Sequence, residues 1–92
     1  PGMSEIRPID AASLLQAATN NLRQRGELAW RGDFANLDPA QPLSGIGIDS
    51  IEWMNLLLEL ESLGGFALHN SELAGLTRIV DLLALIEAKR RP

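Results

Sequence analysis

Residues 45–61 read GIGIDSIEWMNLLLELE, and the later part of that stretch holds more large apolar residues than one side of a helix can use. A helix packed on a core needs one apolar face, so a second apolar set needs its own reason. At 100° per residue, Trp53, Leu56, Leu57 and Leu60 fall within about 100° of one another, an ordinary core stripe. Ile51, Met54 and Leu58 gather on nearly the opposite side, over about 60°. Glu52, Asn55, Glu59 and Ser62 fill a polar strip along one flank, and Glu61 stands on the other. The pattern predicts an exposed apolar triplet rimmed by acids. Either another part of the chain covers that triplet, or it is a face offered to a partner, for which the flexible Met54 is well suited.

The rest of the chain limits which folds could hold such a helix. Ninety-two residues make one small domain, and 46% hydrophobic with 22% charged residues is the balance of a globular chain. Without cysteine there is no disulfide, thiolate metal site or protein thiol nucleophile, so any thiol chemistry must be imported. A net charge of −4 argues against nucleic-acid binding. No apolar run approaches the roughly 20 residues of a membrane span, and the start has no signal-peptide pattern, so a cytoplasmic location without membrane attachment is expected. Pro1 and Gly2 before Met3 read as a cloning remnant, with one domain over residues 4–90. The short tail after the last helix reads as that of a free-standing protein.

Ala11, Leu14, Leu15, Ala18 and Leu22 recur at helical spacing, predicting a first helix that starts at Pro8 or Asp10 and stops at Gly26. Residues 26–48 are dense in glycine, proline and aspartate yet contain Leu28, Trp30, Phe34, Leu37, Leu43 and Ile46. A loop of that kind is expected to contain a helical turn and to fold back on the core. A second helix runs from about Ser50 to Leu63 and ends at Gly64-Gly65. Residues 70–74 look like a capped single turn. The last helix starts near Thr77, turns Ile79, Val80, Leu82, Leu83 and Ile86 inward, and places Lys89, Arg90 and Arg91 at its negative end. No strand alternation is visible. The expected fold is all-α, a small bundle of three main helices plus one short helix.

Ser50 sits where the second helix begins. A serine there serves most simply as the N-cap. A phosphate ester at the same place would be favoured by the helix's positive end and free amide hydrogens, so capping and modification are not exclusive.

The stretch GIGIDSIEWMNLLLELE resembles the acyl carrier protein signature, a Leu-Gly-x-Asp-Ser-Leu core followed by an apolar and acidic helix. Ile46, Gly47, Asp49, Ser50 and Ile51 fill it in order, with isoleucine for leucine at both ends. FALHNSELAGLTRIVDLLALIE is similar to the family's third and fourth helices, and no gap is needed from Leu43 to Glu87. The resemblance implies a carrier rather than an enzyme. Its Ser50 would take a 4'-phosphopantetheine arm from coenzyme A through a magnesium-dependent phosphopantetheinyl transferase, with Asp49 supporting recognition by that transferase. It further implies that Ile51, Met54, Leu58 and Glu52 meet partner enzymes. Those partners would be an acyl- or aminoacyl-loading ligase or transferase and downstream biosynthetic enzymes, with the cargo held as a thioester.

Several residues depart from the family pattern. Asn55 occupies a commonly acidic position, which turns the expectation from bulk fatty acid synthesis to specialised biosynthesis. Gly47-Ile48-Asp49-Ser50 is not the Gly-Gly-His-Ser of peptidyl carriers, although discrete aminoacyl carriers can keep Asp-Ser. His69 stands where proline is frequent and reads as a loop residue, and one histidine without cysteine gives no metal site. Trp53 replaces a smaller residue, and its bulk points to a short or aminoacyl cargo riding outside the core. The competing reading is a helical adaptor without a prosthetic group, in which Ser50 only caps. No catalytic set can be assembled from the spacing of Ser50, His69 and the carboxylates.

Overall fold

Four helices build the chain in the computed structural model, which describes residues 10–90. They are α1 (Ala11–Gln24), α2 (Ser50–Gly64), the single turn α3 (Asn70–Leu73) and α4 (Ile79–Arg90). Two 3-10 turns, Phe34–Asn36 and Leu43–Gly45, interrupt the connection between α1 and α2. Among the described residues the only strand-like pairing is an isolated bridge between Pro42 and Arg78. The all-α expectation is met. The readings placed on residues 1–3, Pro8 and Arg91 lie outside the described residues.

Asp10 caps α1 by accepting the Ser13 amide at 2.8 Å, and the five apolar residues expected inside are buried. Thr19 joins them, which apolar spacing could not show. Its hydroxyl donates to the Leu15 carbonyl at 2.8 Å, and that bond offsets the cost of placing a polar group in the core. From α2, Leu56, Leu57 and Leu60 pack against this stripe, and α4 closes the core with Ile79, Leu82 and Ile86. Each such side chain stabilises the fold by about 1.5–3 kcal/mol relative to exposure. These three aliphatic stripes hold the bundle.

Two expectations about α4 need correction. The helix begins at Ile79 rather than Thr77, because the Asp81 carboxylate takes the amides of Thr77 (3.2 Å) and Arg78 (3.0 Å) one turn ahead. The Thr77 carbonyl is meanwhile drawn to the Leu43 amide at 2.9 Å. Val80 is exposed rather than inward, since Ile79, Leu82 and Ile86 already fill the side facing the bundle.

The connection from α1 to α2 folds back as expected. Leu28 and Phe34 enter the core, while Trp30, Leu37, Leu43, Ile46 and Ile48 pack partly buried against it. Backbone bonds from Ile79 to Gln41 (3.1 Å) and from Val80 to Pro39 (2.8 Å) pin its second half to the start of α4. At the other end, α2 stops at Gly65, whose φ of 70° suits the left-handed cap that other residues adopt only with strain.

Charge also ties α1 to α2. Glu59 accepts from Arg25 at 2.7 Å and from the Asn21 side chain at 3.0 Å. The Arg25 guanidinium, helped by Asn21, holds the Glu59 carboxyl below the usual carboxylate range. A carboxyl whose pKa is lowered on folding contributes stability that is present above its unfolded value and lost as pH falls through its folded one. Thermal melts of wild type and Glu59→Gln should therefore differ at pH 7 and converge as pH drops through 4.5 and below. A gap that stays constant across that range would show that the carboxylate's charge plays no part.

Candidate functional site

The start of α2 divides its tasks among three neighbouring side chains. Asp49, not Ser50, is the N-cap: its Oδ1 accepts the Glu52 amide at 2.7 Å, and its extended backbone sets the entry to the helix. Glu52 answers by accepting the Asp49 amide through Oε1 at 3.3 Å, completing a capping box. Aspartate one residue earlier already satisfies the amide that a serine cap would have taken. Ser50 is therefore the first helical residue, exposed, with a hydroxyl relieved of the capping duty expected of it.

Just before the cap, Gly47 has a φ of 97°, a conformation that side-chain-bearing residues rarely adopt. The turn brings Ile48, Asp49 and Ser50 to the rim of an open cleft of about 470 Å³. Leu43, Trp53, Leu73 and Leu76 supply its apolar lining, and Ser44 and Thr77 add hydroxyls. Serine hydroxyl, helix start and cleft thus share one surface.

Trp53 belongs to that cleft. Reading it as a fourth member of the core stripe is corrected by its half-buried position: it packs on the core with one side and lines the cleft with the other. It sits in the first turn of α2, ahead of the fully packed residues Leu56, Leu57 and Leu60. Its bulk narrows the cleft beside Ser50.

The opposite face of α2 is as exposed as its angles predict. Ile51 is 75% exposed, Met54 60% and Leu58 57%, so no other described part of the chain covers the triplet. The acids beside it are engaged in bonds of their own. Glu52 binds the Ala29 amide at 2.7 Å through Oε2, Glu59 holds Arg25 and Asn21, and Glu61 takes the Leu68 amide at 2.6 Å. Asn55 donates to the Glu27 carbonyl at 3.3 Å. Glu52 and Glu61 act as struts, because loop amides lacking regular partners lie within their reach, and Glu59 ties α2 to side chains at the end of α1.

His69 precedes α3 and is exposed, its amide donating to the Glu72 carboxylate at 2.9 Å. Lys89 pairs with the same carboxylate at 2.8 Å and, with the His69 amide, holds Glu72 below the usual carboxylate range. No group of three or more potential metal ligands occurs among the described residues. No described helix is long and apolar enough to cross a membrane.

The residues around Ser50 fit a phosphate ester carrying an extended arm. The hydroxyl is exposed, the first amides of α2 have no intrahelical carbonyl to bind, and the helix's positive end favours an anion. The neighbouring cleft offers both apolar and hydroxyl surface. Sequence reading missed the cleft-lining Leu43, Ser44, Leu73 and Leu76, and no local signal marks them, because they come together only when α3 folds beside the 3-10 turn at Leu43–Gly45.

Comparison with known families matches residues 32–86 to the family model described as the phosphopantetheine attachment site. No curated protein and no solved structure matches the chain.

The division of labour at the cap has a direct test. Asp49→Ala should lower stability by about 1 kcal/mol. Ser50→Ala should change it by no more than about 0.5 kcal/mol, as at ordinary surface positions. Denaturant titrations of both variants read this, and equal losses would return the cap to Ser50.

Proposed function

The chain belongs to the phosphopantetheine attachment-site family, and from that premise we propose that Ser50 is the attachment residue of a carrier protein for specialised biosynthesis. The observation that carries this reading is the exposed Ser50 hydroxyl at the start of α2, relieved of capping by Asp49 and lying inside the matched segment. As a family member the chain carries 4'-phosphopantetheine covalently, derived from coenzyme A. Ser50 Oγ forms a phosphodiester at the phosphorus nearer the pantetheine, the pyrophosphate bond of coenzyme A breaks, the hydroxyl proton is lost and adenosine 3',5'-bisphosphate departs. When bound, the arm supplies the terminal thiol that a cysteine-free chain lacks, and that thiol holds an acyl or aminoacyl group as a thioester.

Each remaining part of the site has a task in this reading. Asp49 is a recognition residue for the phosphopantetheinyl transferase as well as the cap. Ile51, Met54 and Leu58 form the contact face for the loading ligase or transferase and for downstream enzymes, since an exposed apolar patch gains by being covered. Glu52 contributes at the edge of that face while its carboxylate braces the loop. The domain extends over residues 4–90, works in the cytoplasm and performs no catalysis of its own. The family match favours this carrier over an adaptor without a prosthetic group. Cargo is short or aminoacyl and stays outside the core, because Trp53 occupies the wall of the cleft next to Ser50.

Incubation with coenzyme A and a broad-specificity phosphopantetheinyl transferase should add the mass of one phosphopantetheinyl group, and Ser50→Ala should abolish the gain. No transfer, where a control carrier is modified, would reject the reading. Intact mass of the protein from its native host reads the cargo as well, and a long acyl chain there would contradict the role given to Trp53. Met54→Glu should leave folding and modification near wild type while slowing transfer to or from a partner enzyme by roughly tenfold or more, the effect of putting charge into an apolar contact. Unfolding of that variant would mean the triplet is structural.

A further inference from the structure

Trp30 lies in the connection between α1 and α2, distant in sequence from Ser50, yet its indole Nε1–H donates to the Ile46 carbonyl at 2.7 Å. That carbonyl immediately precedes Gly47, the residue whose φ of 97° turns the chain toward Asp49 and Ser50. The indole edge also lies close enough to Gly47 that a Cβ built there would touch it at 3.6 Å. The ring is itself held. Arg23 from the last turn of α1 donates to the Trp30 carbonyl through Nε (3.0 Å) and Nη2 (2.8 Å), and its Nη2 also reaches the Gly32 carbonyl. The same guanidinium stands 5.6 Å from the indole centroid, and Phe34 packs at 4.8 Å between ring centroids.

A second tether reaches the same turn from the other side. Glu52 bridges the Asp49 amide and the Ala29 amide, so residues 29 and 30 brace both ends of the segment from Ile46 to Asp49. The Ile46 amide closes the preceding 3-10 turn on the Leu43 carbonyl at 3.4 Å and the Asp49 carbonyl accepts the Trp53 amide at 2.8 Å, but Gly47 and Ile48 between them belong to no helix or strand, so these side-chain bonds brace the turn.

We propose that Trp30 is a positioning residue for the modification of Ser50: its indole N–H bond to Ile46 holds the Gly47 turn in the conformation that the phosphopantetheinyl transferase binds. This rests on the carrier reading above. Without the bond the turn samples other conformations, and apparent affinity falls by the fraction that remains competent. Chemistry on the bound form is unchanged, because the transferase captures the same conformation. Trp30 therefore affects KM and not kcat.

Trp30→Phe keeps an aromatic ring against Phe34 and Arg23 but removes the donor. With a phosphopantetheinyl transferase and coenzyme A, the KM for this variant should rise on the order of three- to tenfold with kcat nearly constant, the size expected for one lost hydrogen bond. Leu83→Ala, on α4 and away from the turn, serves as a control for general destabilisation and should leave KM unchanged. In wild type, the Trp30 indole proton should exchange with solvent at least tenfold more slowly than that of free tryptophan. An unchanged KM in Trp30→Phe, an equal rise in Leu83→Ala, or a fall in kcat alone would overturn the proposal. Should Trp30→Phe fail to fold, indole exchange in wild type decides, and an unprotected proton overturns it. Failure of wild type to be modified at Ser50 is a separate result that rejects the carrier reading, while indole exchange still reports the tether.

Discussion

Burial of Leu56, Leu57 and Leu60 against the stripes of α1 and α4 is the contact on which the rest of the protein depends. It fixes the rotation of α2 about its own axis, and everything displayed by that helix follows from the rotation. With three aliphatic residues turned inward, Ile51, Met54 and Leu58 must face outward. Ser50, nearly two turns before the buried stripe begins at Leu56, is left at the rim rather than inside. In a chain this small, without disulfides, few other contacts could set that orientation.

The beginning of α2 shows how the modification site proposed at Ser50 can coexist with a stable helix end. Helix starts need acceptors for their first amides, and a serine used as the cap would have its hydroxyl oxygen engaged. Here the aspartate before it takes that task, and Glu52 completes the box while also holding the Ala29 amide. The serine is not needed as the cap, which suits the attachment role proposed for it. Much of the acidic character of α2 is likewise absorbed internally, with Glu59 and Glu61 bonded to α1 and to the segment after α2. The face proposed for partners is accordingly defined by its apolar residues more than by free negative charge.

Legibility of this molecule in its sequence was uneven for definable reasons. The helices and the two faces of α2 are set by periodicity and by neighbours three or four residues apart, and apart from the start of α4 and Trp53 these appeared where expected. Trp53 was misjudged because helical angle says which way a residue points, not whether anything lies opposite it. At the first turn of α2 the neighbours fall away, and the indole borders an open cleft. Thr77 marks the expected start of α4, but the carboxylate of Asp81, in the first turn of that helix, holds the Thr77 and Arg78 amides ahead of it. Val80 shows the complementary error, an apolar residue counted inward on a face already filled.

By itself the sequence determined the all-α class, the amphipathic stripe of α1, the division of α2 into a buried and an exposed face, and the Asp-Ser pair at its start. Each depends on contacts within one or two helical turns, so each leaves a periodic trace. Tertiary structure alone decided that Glu52 reaches across to Ala29, that Leu43, Leu73 and Leu76 meet Trp53 around one cleft, and that Trp30 holds Ile46. The long-range contacts join residues separated by connections with no repeat. Their bonds arise because amides and carbonyls left unpaired by irregular backbone must find partners in three dimensions, and no spacing along the chain records which ones they find.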